Sequence, residues 1–232
     1  MNGIQQINLP SLSVNLLYAS TPLQQEKIDK ALHALEIEKI NSFGSTKRKI
    51  EYRRSRWLMR QFLNSAEPLI ANNSGIISWP QGILASLSHK EEVIAFAFTD
   101  KNKYKSIGID IEYKNGAKSE LAKKICSATE INLLKNIALD SKEDFSTLLS
   151  IVFSFKEAVF KAHYPIGKIW FYFDDFEIIG INLNKQLIKG TLKTKTSELT
   201  PKNSLITGIF TFFREQETSP EFILSSCVVQ SP

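Results

Sequence analysis

Ile107-Gly-Ile-Asp-Ile-Glu-Tyr113 is the stretch on which the reading of this chain turns. In an extended strand successive side chains point to opposite faces, so Ile107, Ile109 and Ile111 share one face and Gly108, Asp110 and Glu112 the other. One face then suits a core, and the other carries two carboxylates beside a glycine that lets a ligand or a neighbouring chain approach the backbone. Further along, Phe153-Ser-Phe-Lys-Glu-Ala-Val-Phe-Lys161 adds Glu157 and Lys161, which lie one turn apart on a helix. Three hard oxygen donors and an ammonium suit Mg²⁺ and a phosphate ester or anhydride, with the lysine free to meet the charge on a leaving phosphate. Each segment alone also reads as ordinary surface, since a Glu-Lys pair at this spacing stabilises a helix by only about 0.2–0.5 kcal/mol. Their combination is what points to chemistry.

Working outward, residues 82–87, 93–99 and 104–112 read as strands, with 100–103 as the turn between the last two and the segment 72–75 as a turn-rich entry. Upstream, Thr21-Pro22 predicts the start of a helix running to about Ile40, and a second helix covers roughly 46–65. Downstream, Ser127-Ala-Thr-Glu130 has the form of a capping box that opens a helix ending near Ala138. A longer helix spans about 143–163 and stops at Tyr164-Pro165. Its apolar stripe is Leu148, Val152, Phe155, Val159 and Ala162, which leaves Glu157 and Lys161 off the core-facing line. Residues 169–179, 186–193, 205–213 and 222–229 read as strands. Helices followed by strands thus occur twice, an α+β pattern with two halves, 1–104 and 105–232.

The chain has 232 residues, 43% hydrophobic and 23% charged, which is the composition of a globular protein with a sizeable core. Cys126 and Cys227 are its two cysteines, without CxxC or a His/Cys cluster, so neither a zinc site nor a disulfide scaffold is supported. The N-terminus lacks a basic-then-apolar leader and no stretch approaches a membrane span, which makes the cytoplasm the expected location. Net charge is +5, favouring an anionic partner. Seven basic residues lie between Lys47 and Arg60 with Glu51 the one acid, and Lys49, Arg53, Arg56 and Arg60 align along one predicted helical face. A phosphorylated cofactor, an acidic protein or nucleic acid would each answer to that face, and so would plain solvent. Trp79, Trp170, Phe171 and Phe173 are expected to serve the core.

Gly-Ile-Asp-Ile-Glu followed by Phe-Ser-Phe-Lys-Glu-Ala-Val-Phe-Lys resembles the two signature segments of the 4′-phosphopantetheinyl transferases of the surfactin-synthetase-activating type. Trp79-Pro-Gln-Gly-Ile-Leu-Ala-Ser-Leu-Ser-His89, Lys161-Ala-His-Tyr-Pro165, Trp170-Phe-Tyr-Phe-Asp-Asp-Phe176 and Arg48-Lys-Ile-Glu-Tyr-Arg-Arg-Ser-Arg56 are similar to its enterobactin-synthetase component D branch. The resemblance implies two pseudo-twofold-related halves with coenzyme A and Mg²⁺, or Mn²⁺ in its place, in the cleft between them. It implies transfer of the phosphopantetheine arm to a serine of an apo acyl, peptidyl or aryl carrier protein, with release of adenosine 3′,5′-bisphosphate. By motif, Asp110, Glu112 and Glu157 match the metal ligands, with Asp110 also a cofactor contact. Lys161 matches the lysine of the leaving phosphate, and Glu157, or water near it, the base. Ser88, His89, Arg48 and Arg56 match contacts to the phosphates of coenzyme A. A monomer serving siderophore, nonribosomal peptide or related synthetases is implied as well.

The sequence departs from the branch in two places: no basic residue stands in Gly75-Ile-Ile-Ser78, and Ala85 replaces a glycine before Ser-Leu-Ser-His89. Two other readings compete. A basic nucleic-acid-binding module would use the 47–60 helix but leaves the three acids without a role, and they would repel a phosphate backbone. A noncatalytic relative that only binds carrier proteins or coenzyme A has no need of the acids and Lys161 together.

Overall fold

Strand alternation sets the layering. The computed structural model describes residues 3–230 apart from Asn73, Glu92 and Leu199. Asn73, within the turn-rich 72–75 segment, and Met1 and Asn2 of the N-terminus lie outside the described residues. β1 (Ile4–Asn8), β2 (Ser13–Tyr18), β3 (Ile83–Lys90) and β4 (Val93–Asp100) form an antiparallel sheet in the order β1-β2-β4-β3. β5 (Tyr104–Tyr113), β6 (Phe176–Asn182), β7 (Leu187–Leu192), β8 (Leu205–Phe213) and β9 (Phe222–Gln230) form a second, in the order β5-β9-β8-β7-β6. The helices are α1 (Gln25–Ala31), α2 (Ala34–Ser42), α3 (Thr46–Arg60), α4 (Ala122–Ile125), α5 (Ala128–Asp140) and α6 (Phe145–Gly167).

Three buried clusters stack through the molecule. On β4, Ile94 and Phe96 pack with Leu58 and Met59 of α3, while Val93, Ala95 and Ala97 turn the other way. There they meet Ile107, Ile109 and Ile111 of β5 and Leu224 of β9, so the predicted isoleucine face is the seam between the two sheets. On the far face of the second sheet, Ile223 and Cys227 pack against Leu148, Val152, Phe155, Val159 and Ala162, the stripe expected on α6, each fully buried. Asp144 caps α6 by accepting from Thr147 N at 2.7 Å. Ser127 opens α5 with the capping box read from sequence. The fold is mixed α and β with two sheets, as expected.

Several expectations change. The helix predicted over residues 21–40 is two helices, broken at Leu32 and His33, which are extended. His33 starts α2 by accepting from Leu35 N at 3.1 Å while Glu36 accepts from His33 N at 3.0 Å. Thr21 donates to Gly3 O and caps nothing. Helix α3 ends at Arg60, short of residue 65. The final helix runs through Tyr164-Pro165 to Gly167, where Lys168 takes the left-handed conformation at φ 54° and its N–H donates to Tyr164 O. Glycine is needed one residue earlier, because a Cβ on Gly167 would meet Thr196 O at 1.6 Å. The strand expected from 169 begins only at Phe176. Phe173 O is taken by Lys156 Nζ at 3.0 Å and Tyr172 N by the Asp175 carboxylate at 2.8 Å, which replaces ladder pairing with a short 3₁₀ turn. β1 and β2 were not foreseen.

Candidate active site

On one side β5 pairs with β9; on the other, side-chain hydroxyls of β3 meet it. Ile109 N donates to Ser86 Oγ at 3.0 Å and Ile111 N to Ser88 Oγ at 3.3 Å, a two-residue period matching on both strands. Ser88 Oγ in turn donates to Asp110 Oδ1 at 2.9 Å. Helix α6 crosses β5 at Gly108, where an added Cβ would lie 2.0 Å from Ala158 O. That contact brings the turn carrying Glu157 and Lys161 over Asp110. Lys161 Nζ donates to Asp110 Oδ1 at 2.7 Å and to Ser88 Oγ at 3.1 Å, while Ser154 Oγ donates to Asp110 O at 3.2 Å. Ser88, Asp110 and Lys161 therefore form one connected group drawn from both sheets and α6.

Glu112, two residues along the same face, pairs with Lys90 of β3, whose Nζ lies 2.8 Å from Oε2 and 3.0 Å from Oε1. Burial, with Asp110 adding to it and Lys90 opposing, holds the Glu112 carboxyl above its ordinary range. The Glu157 carboxyl is also raised, by burial first and then by the charges of Asp110 and Glu112, with Lys161 opposing. Three acids thus feel one another across this group. Among the described residues no three carboxylate, imidazole or thiol side chains already converge as a metal cage. The donor chemistry nonetheless fits a hard divalent cation: Asp110 Oδ2 is buried with no hydrogen-bond partner, and the mutual repulsion is of the kind a cation relieves.

Besides a cavity of about 210 Å³ with Lys161 and Ser86 in its wall, two others lie near the group. One, of about 260 Å³, has Glu157 in its wall beside Phe160, Trp170, Phe171, Tyr172 and Phe173. Trp170, expected in the core, is 57% exposed and Phe173 half-buried, because Trp170 packs edge-on against Phe160 at the cavity rim. The expectation of core packing holds for Phe171, which is buried, and in part for Phe173, which packs against the core from its edge, and fails for Trp170. The other cavity, of about 470 Å³, takes in Arg48, Tyr52, Arg56 and His89. His89 and Ser88 point to opposite sides of β3, so the former lines this cavity and the latter does not.

The basic stripe is dispersed. Arg60 is buried against Glu36 at 2.7 Å, Arg53 pairs with Asp29 at 2.7 Å, and Arg56 donates to Leu69 O at 2.6 Å and Ser55 Oγ at 3.0 Å. A continuous cationic face on α3 is not formed, since the helix packs with that side inward. Arg56 also stacks on Tyr52, 3.8 Å from the ring centroid, and burial lowers its affinity for its proton. Among the described residues no carboxylate pairs with it, which leaves a buried cation facing a cavity. Sequence reasoning passed over Lys90, although its two-residue spacing from Ser88 put it on the same strand face.

Two family models match the chain. One, described as 4′-phosphopantetheinyl transferase superfamily, covers residues 106–209, and the other, described as 4′-phosphopantetheinyl transferase N-terminal domain, covers residues 39–99. The chain is 31% identical over 115 residues to the 4′-phosphopantetheinyl transferase Npt of Nocardia iowensis, a match covering 48% of this chain and 50% of that protein. It is 29% identical over 111 residues to the 4′-phosphopantetheinyl transferase Svp of Streptomyces mobaraensis, covering 48% and 44%. The chain spans about half the length of the relatives it matches. Asp110, Glu112, Glu157 and Lys161 fall within the residues matched by the first family model and Arg48, Arg56, Ser88 and His89 within those matched by the second; with both models of one family matching in succession along most of its length, this chain belongs to the 4′-phosphopantetheinyl transferase superfamily.

Proposed function

We propose that the protein transfers the 4′-phosphopantetheine arm of coenzyme A to a serine of an apo carrier protein, releasing adenosine 3′,5′-bisphosphate. The observation that carries this reading is the group formed by Ser88, Asp110, Glu112, Glu157 and Lys161, flanked by a cationic cavity on one side and an apolar one on the other. Arg48, Arg56 and His89 hold the 3′-phosphate, with guanidinium forks suited to an oxyanion. The aromatic cavity beside Glu157 takes the uncharged arm. Asp110, Glu112 and Glu157 are the residues that would hold a divalent cation, which when bound neutralises diphosphate charge during displacement.

In the displacement, the acceptor hydroxyl forms its bond to the phosphorus that bears the arm as the bond to the nucleotide phosphate oxygen breaks. Glu157, directly or through water, takes the hydroxyl proton, and a carboxyl raised by burial and then by neighbouring acids is the better proton acceptor when ionised. Lys161 supplies hydrogen bonds to the leaving phosphate, its ammonium swinging from Asp110 and Ser88 to do so. The division of the chain near residue 104 and service to siderophore, nonribosomal peptide or related synthetases belong to the same proposal. Incubation with coenzyme A, Mg²⁺ and a panel of apo acyl, peptidyl and aryl carrier proteins should add one phosphopantetheine by intact-mass spectrometry. No gain on any carrier, with a known transferase working in parallel, would defeat the reading.

A further inference from the structure

Three carboxylates and two ammoniums share the site, and the second ammonium has no place in the proposed transfer. Lys90 Nζ reaches both oxygens of Glu112, at 2.8 and 3.0 Å, and the pair is sheltered, with side chains 30% and 12% exposed. Lys161 occupies Asp110 Oδ1 in the same way. Glu157, whose carboxyl feels Asp110, Lys161 and Glu112, receives no hydrogen bond among the described residues. The acids consequently sit apart, two of them turned to separate lysines rather than to one point. Lys161 contacts Ser88 as well, so its departure leaves Asp110 with one donor still in place. Among the described residues Glu112 has no such second side-chain donor.

We propose that Lys90 is a resident counter-cation for Glu112, and that a divalent cation gains Glu112 as a ligand only by displacing the Lys90 ammonium. The proposal rests on the reading of Asp110, Glu112 and Glu157 as the cation site. The physical argument is competition for a single anion. A carboxylate held by a sheltered ammonium is stable without metal, and a dication that takes it must lose that ion pair as well as approach a like charge. Lys90 thereby weakens cation binding while keeping the metal-free site from flying apart through its three negative charges. It is a residue that tunes how much free cation the protein needs, and it acts through Glu112.

The test is Mn²⁺ binding, read from the free-Mn²⁺ electron paramagnetic resonance signal, with coenzyme A present at saturation. Wild type, Lys90→Met, Lys90→Gln and Lys90→Arg are compared, with thermal melting to confirm folding. Removal of the charge in the first two should tighten Mn²⁺ about threefold to thirtyfold, the range expected for loss of a partly buried competing ion pair. Lys90→Arg should stay near wild type. If wild type binds Mn²⁺ and loses it on Asp110→Ala, yet both neutral variants bind no tighter, Lys90 has no such role and the cation site stands. If none of the proteins binds Mn²⁺, the proposal and the cation site fall together.

Discussion

Glu157 sits among like charges, and its carboxyl titrates above the ordinary range because burial and then Asp110 disfavour the ionised form. A folded-state value above the unfolded one means that protonation favours the fold, so this residue's stabilising influence is present at low pH and lost as pH rises through the raised value. Glu157→Gln should therefore raise the melting temperature at pH 7 by a few degrees, with the gain shrinking toward pH 4, while removing the proposed transferase activity. An unchanged or lower melting temperature at pH 7 would show that Glu157 is not strained in the fold. At this scale the sequence put Asp110 and Glu112 on one strand face and Glu157 and Lys161 one helical turn apart, because strand and helix periods act over short range. Lys90 escaped because its partner, Glu112, lies on another strand, and only the docking of β3 beside β5 brings them together. Arg56 was found, but its burial was not, since the direction in which α3 packs is a tertiary choice.

Between elements, α6 crosses β5 in near backbone contact. Gly108 faces backbone there, Ala158 O and Ala162 N, which cannot turn aside as a flexible side chain would. Gly108→Ala should cost about 1–3 kcal/mol in denaturant unfolding, the usual penalty for overpacking, and should reduce turnover by lifting Lys161 from Asp110. Full stability with full activity would mean that the crossing has slack. The glycine was legible as a point of close approach, although what approaches is a helix. The helix end was misread for a related reason: Tyr164 stacks on Phe160 at 5.1 Å and packs on Trp170, contacts four residues back and beyond the turn that hold the helical geometry through Pro165. Local rules for the residue before proline had no access to them. Likewise His33 breaks the first predicted helix because Glu36 is drawn inward by Arg60 and Leu69 N, a demand from distant residues.

Across the whole molecule, polar side chains are buried beside the three stacked clusters, and His163 is one of them. Its ring is buried on α6 near Thr200 and Thr196, Nε2 has no hydrogen-bond partner, and burial pushes its pKa down to about 4. The folded value lies below the unfolded one, so the unfolded chain binds the extra proton first. Stability is lost as pH falls from about 6.5 toward 4. Denaturant titrations should show His163→Leu with a shallower acid loss than wild type, by up to about 1.4 kcal/mol per pH unit in that window. Parallel curves would remove His163 from the acid response. The α+β class and the second sheet were legible because β5, β8 and β9 carry strong apolar runs. β1 was not, since three of its five positions, Gln5, Gln6 and Asn8, are polar and it lies at a sheet edge. No helix among the described residues is long and apolar enough to cross a membrane.

The hydroxyl rungs from Ser86 and Ser88 to β5 carry a meaning for how the site comes into being. Ser88 belongs to the first sheet, Asp110 to the second and Lys161 to the helix behind it, so the three meet only where the sheets have already closed on each other. Neither part of a chain severed in the exposed turn at Lys101 and Asn102 would contain the set. The triplet is a coincidence detector for docking: the Asp110–Lys161 pair belongs to the C-terminal part alone, and Ser88 joins it only when both parts have folded and found one another.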